Sequence, residues 1–192
     1  MSLRQCKVVV INSISELYFS ILTFNIYQRK RGESKLKYSR AQVSLHWIIF
    51  LLVIAQYALH EAIVNAFEAM LEGKPSLNSP LVSMHLGIGG IIGILTAVRF
   101  WIRIDTGVPE KAGGYPKIFD MIASVVHLSF YGILILLPLT GGFAWYQSSE
   151  AAADAHGLLR ALLILFILLH LIAVLIHTLI FKNKLIRRIW LN

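Results

Sequence analysis

Cysteine is nearly absent: the 192 residues contain only Cys6. One thiol excludes an intramolecular disulfide framework, a thioredoxin-like pair and a cysteine-ligated cluster, so any redox chemistry must use other ligands. Charge is scarce too, at 15% of residues against 57% apolar. With a positive mean hydropathy, that balance lies far outside an ordinary soluble domain and belongs to a membrane protein. The net charge of +8 could suggest nucleic acid. However, the basic residues form short clusters between apolar runs, and no zinc-finger spacing or other nucleic-acid motif accompanies them. Membrane lipid is the expected surroundings, and no nucleic-acid partner is expected.

Four segments supply the roughly 20 apolar residues that a hydrocarbon core of about 30 Å requires: about 41–59, 82–101, 119–143 and 156–180. Short connections predict antiparallel neighbours, so the expected fold is all-α, an integral membrane four-helix up-and-down bundle. Basic residues set its orientation. Arg29, Lys30, Arg31, Lys35, Lys37 and Arg40 precede the first span, Arg99, Arg103, Lys111 and Lys117 join the second to the third, and Lys182, Lys184, Arg187 and Arg188 close the tail. These regions are expected to be cytoplasmic, with both ends of a 38–192 domain on that side of the membrane. The remaining connections, with Glu61, Glu68, Glu72 and a lone Lys74, then Glu150, Asp154 and a lone Arg160, are expected to face outward.

Residues 1–37 fit less well. Their run VVVINSISELYFSILTFNIY is interrupted by Asn12, Glu16 and Asn25, which argues against a fifth span. No small-residue cleavage site follows it, as a secretory signal would require. The segment reads as an extension that is interfacial, disordered or upstream of the natural start.

The stretch YSRAQVSLHWIIFLLVIAQYAL places His46 about a turn inside the first span. A polar side chain at that depth marks function by default and calls for a partner. Six other histidines are candidates: His60, His85, His127, His156, His170 and His177. In the expected orientation His85 lies about a turn inside the outer end of the second span. His156 and His170 stand fourteen residues apart in the fourth. That is two heptads, so both point to one face, about 21 Å apart along the axis. Depths then match in pairs, His85 with His156 near the outer surface and His46 with His170 toward the cytoplasm.

Two facing imidazoles, twice over, suit two low-spin haems b, since bundles build cofactor sites from facing helices and imidazole is a good iron ligand. A hydrogen-bonding role at a helix interface is the bland reading for any one of these histidines. Four at matched depths argue against it. A dinuclear metal site fits poorly, because the levels are far apart and the interiors of the spans contain no carboxylates to bridge two ions. In HLGIGGIIG, the residues Gly87, Gly89, Gly90 and Gly93 serve either macrocycle clearance or close helix packing. His177 shares a face with His170, but pairing it with His46 puts the irons about 31 Å apart, the whole hydrocarbon core. His127 has no unmatched partner at its depth and is a candidate contact for a haem propionate or a quinone, with packing as the alternative. His60 reads as interfacial. Arg99, Arg103 and Arg160 are candidate propionate partners, with topological anchoring the alternative for the first two.

YSRAQVSLHW, SMHLGIGG, HLSFYGILILLPLTG and LLHLIAVLIHTLIFKNKLIRRI, in that order over about residues 38–190, resemble the four helices of the bacterial cytochrome b561 family. The resemblance implies four transmembrane helices with two haems b held by the first, second and fourth. Those ligand positions fall on His46, His85, His156 and His170. It also implies electron exchange with ubiquinone and, in some members, oxidation of superoxide at the outer surface. The short connection FAWYQSSEAAADAHG departs from the superoxide-oxidising type, which has a longer loop there.

The expected function is thus a di-haem transmembrane electron carrier working with membrane quinone, possible as a superoxide:ubiquinone oxidoreductase. The alternative is a cytochrome b anchor subunit that passes electrons to quinone from a dehydrogenase or hydrogenase partner protein. A transporter would want broken helices or inverted repeats. Pro138 is the only proline inside a span, and no repeat is visible.

Overall fold

The computed structural model describes residues 38–74, 79–109 and 116–181. The 1–37 extension and the basic tail from Lys182 lie outside the described residues. Among the described residues five helices form: α1 Arg40–Ala58, α2 His60–Leu71, α3 Pro80–Thr106, α4 Lys117–Gln147 and α5 Glu150–Leu179. All but α2 are long and apolar enough to cross a membrane. They coincide with the four expected spans but run further, α3 to Thr106 and α4 to Gln147. The ends include Arg103, Asp105 and Lys117 because a helix continues past the apolar layer wherever its polar residues reach water.

The helix starts are written locally. Ser39 caps α1, its hydroxyl accepting from the Gln42 amide at 3.2 Å while the Gln42 carboxamide oxygen accepts from the Ser39 amide at 3.1 Å. This reciprocal box satisfies two N–H groups left over at a helix start. The same Gln42 donates to Thr106 Oγ1 and to the Gly107 carbonyl, at 3.2 and 3.1 Å, tying the start of α1 to the end of α3. Ser79 caps α3, with Pro80 entering the first turn, where no N–H is needed. Ser148 in a left-handed conformation (φ 49°) and the Ser149 cap turn α4 directly into α5.

The spans pack antiparallel in sequence order, α1 on α3, α3 on α4 and α4 on α5, whereas the backbones of α1 and α5 approach each other less closely. Between lipid-immersed helices association comes from van der Waals packing and interhelical hydrogen bonds rather than from the hydrophobic effect. The buried centre holds Ile49, Val53, Ile92, Ile133, Leu134 and Leu163. These positions lie midway along the spans, between His46 and the chain end of α1, and between His156 and His170.

One element departs from the expectation of a plain connection. After Ala58 the chain folds into α2, an amphipathic helix lying against α3. Glu61, Asn65 and Glu68 are exposed, Ala66 is buried, and Ile63, Phe67 and Met70 are half-buried. This stripe has helical spacing and hides one face of a helix too short to span.

Candidate functional site

At the end of the bundle that carries α2, four polar side chains from three helices gather. His85 on α3 has His156, His60 and Arg160 as its electrostatic neighbours. His156 on α5 is held firmly, its Nδ1 donating to the Leu137 carbonyl at 2.9 Å, with Thr140 Oγ1 at 3.4 Å. The ring lies so close to α4 that a Cβ on Gly141 would stand 2.9 Å from its Cε1 and Nδ1. Pro138, next in the chain after Leu137, lacks the N–H that would bond the Leu134 carbonyl in an unbroken helix.

Arg160 bridges the level. Its guanidinium donates to the ring of His60 on α2, and its backbone carbonyl accepts from Tyr57 Oη on α1 at 2.9 Å. Burial first, and then the Arg160 charge, push the His60 imidazole below its ordinary range, while Glu61 pulls the other way. The ring is therefore neutral at pH 7 and able to accept from Arg160. Gln56 donates to the His85 carbonyl at 2.8 Å and fixes α1 against α3.

The second level lies toward the opposite end. His46 on α1 has Arg99, His170 and His127 as its electrostatic neighbours. The His170 ring meets His127 edge-on at 5.5 Å and Phe130 at 5.8 Å. His127 Nδ1 donates to the Ala123 carbonyl at 2.5 Å. Arg99 donates to Tyr131 Oη at 3.0 Å. His177 is buried away from this group, its ring against Phe119 and Phe181 at 6.3 and 5.3 Å. The Arg103 side chain makes no hydrogen bond or ion pair among the described residues, although it lies in electrostatic range of His127.

The family described as prokaryotic cytochrome b561 matches residues 37–192. This chain belongs to that family. Cytochrome b562 of Cereibacter sphaeroides is 31% identical over 151 residues, covering 79% of this chain and 93% of that protein. A probable superoxide oxidase CybB of Yersinia pestis is 28% identical over 177 residues, covering 79% and 94%. As a prokaryotic cytochrome b561 the chain is a bacterial multi-pass membrane protein whose family transfers electrons with haem b.

The residues present fit such a group. Among the described residues no three or more His, Cys, Asp or Glu side chains converge as a bare ion would require. Pairs of imidazoles are what a porphyrin iron asks for, since the macrocycle brings its own equatorial nitrogens. The bond from His156 Nδ1 to a carbonyl fixes the tautomer that leaves Nε2 as the donor atom. His85 Nδ1 and Arg99 Nε are buried without a partner. Such atoms cost about 1–3 kcal/mol each unless something meets them. A Cβ at Gly87 or Gly90 would meet nothing within 4 Å, whereas one at Gly93 would stand 3.0 Å from Pro138. Close helix packing thus accounts for Gly93, and clearance remains for the other two.

Gln56, Tyr57, Tyr131 and Gly141 belong to these levels and were not singled out in the sequence. Gln56 could have been, as an uncharged amide well inside the first span.

Proposed function

We propose that this cytochrome b561 is a transmembrane carrier with two haems b, one held by His85 and His156, the other by His46 and His170, exchanging electrons with membrane quinone. The pairing supports this most directly: His85 has His156, and His46 has His170, among its electrostatic neighbours, at two levels separated by an apolar centre. The wider separation of α1 from α5 leaves room at the level where both contribute a ligand. Haem b, when bound, supplies a one-electron couple whose potential is set by its axial ligands and surroundings.

The chain's own groups fix the rings and neutralise charge. The Leu137 carbonyl orients His156, and the grip of Gln56 on α3 stations His85. Arg160 and Arg99, with Arg103 nearby, are placed to pair with carboxylates through charge-assisted hydrogen bonds. Arg40, Arg99, Arg103 and Lys117 cluster at the His46 end, which supports a cytoplasmic side for that end. The unit then begins at about residue 38, and its two termini share the cytoplasmic side.

Pyridine haemochrome analysis of the purified protein should give close to two haems per chain. A value of one would mean that a pairing is wrong, and none would sink the reading. The reduced protein is then offered quinone, and the oxidised protein quinol and superoxide in separate arms. Superoxide oxidation is the less supported activity, because only Ser148 and Ser149 separate α4 from α5. Copurification with a dehydrogenase or hydrogenase would favour the anchor-subunit role instead.

A further inference from the structure

Arg99 stands inside a membrane span, yet its head does not reach out to the interface as a long basic side chain does when it serves only as a topological anchor. It turns into the bundle. Its Nη1 donates to Tyr131 Oη at 3.0 Å, and its guanidinium carbon lies 5.6 Å from the centre of the Tyr131 ring. Tyr131 is 6% exposed, and Phe100 packs on it at 5.0 Å between centroids, so the phenol itself is immobilised. The Arg99 Nε is buried with no hydrogen-bond partner. No carboxylate lies within ion-pair distance of Arg99 among the described residues. His46 and His170 both have Arg99 as an electrostatic neighbour. A cation fixed in a poorly screened interior next to two candidate ligands acts strongly on any charge that changes there.

We infer that Tyr131 is a positioning residue: it holds the Arg99 guanidinium against the His46–His170 level and thereby raises the potential of the haem bound there. The inference rests on the two-haem reading. Reduction adds an electron to the haem, and a nearby fixed positive charge favours the reduced form. Tyr131 touches neither ligand in this account and acts only through Arg99. Removing its hydroxyl removes one acceptor and little volume, so the bundle should keep its packing while the guanidinium loses its tether.

The test is a spectroscopic redox titration of the holoprotein, with the inner haem identified as the component that His170→Ala removes. Arg99→Gln should lower the reduced-to-oxidised ratio of that component at least tenfold at fixed ambient potential, about 59 mV for one electron. Tyr131→Phe should lower it in the same direction by about threefold, the scale of coupling between contacting side chains. Both should leave the other haem in place. The double variant should match Arg99→Gln alone. An unmoved potential in Tyr131→Phe, additive shifts in the double variant, or a shift of the other haem would overturn the inference. If Arg99→Gln fails to bind haem, Arg99→Lys replaces it, since it keeps the charge but cannot stack on the ring. Tyr131→Phe should then add nothing to it, and a further shift would overturn the inference equally. Wild-type protein without haem would instead sink the two-haem reading.

Discussion

Replacing His170 and replacing His177, one heptad apart on α5, should give opposite spectra. His170→Ala should remove one haem, because its ring stands with His127 and Phe130 in the neighbourhood of His46. His177→Ala should keep both haems and their Soret intensity, losing about 0.5–3 kcal/mol of packing against Phe119 and Phe181. Haem quantitation beside thermal unfolding separates the two outcomes, and the reverse pattern would refute the pairing. The expectation of His170 rests on spacing, since fourteen residues from His156 keep the face and match the depth of His46. Tyr131 was not legible: a tyrosine suits almost any helix position, and its role depends on Arg99 turning inward, which no local pattern records. His60 was read as interfacial, but its acceptance from Arg160 depends on a helix, α2, that the sequence reading did not include.

At the scale of elements, the four spans were legible because length and hydropathy leave few alternatives once a bilayer is the solvent. The α2 helix was not, because Glu61, Glu68 and Glu72 gave it the look of a polar connection, and only the spacing of Ile63, Ala66, Phe67 and Met70 marks its buried face. The contact between α4 and α5 is the tightest point of the site. Gly141→Ala would bring a methyl group to 2.9 Å from the His156 ring, which must then leave its bond to the Leu137 carbonyl. We expect the haem content of that variant to fall from two toward one. Gly142→Ala, with nothing within 4 Å of the added atom, should retain both. Equal haem content in the two variants would show that the clearance around His156 is immaterial.

For the whole molecule, the family match begins at residue 37, and every proposed ligand lies downstream. A chain begun at Glu33 with an added initiator Met keeps Lys35, Lys37 and Arg40 ahead of α1. It should insert with unchanged orientation and bind the same haems, as checked by reporter fusions at its C-terminus and by haem quantitation. Loss of haem or inverted topology would make the extension a structural part of the bundle. The apolar centre of Ile49, Val53, Ile92, Ile133, Leu134 and Leu163 has a further consequence. Its six side chains carry no group that can relay a proton, so on the proposed reading it passes electrons while insulating against protons. An electron moving about 21 Å through a hydrocarbon layer of about 30 Å traverses roughly two-thirds of the membrane voltage, about 1.6 kcal/mol per 100 mV. The division of electrons between the two levels therefore follows the charge state of the membrane, and an energised cell would hold them preferentially at its positive side.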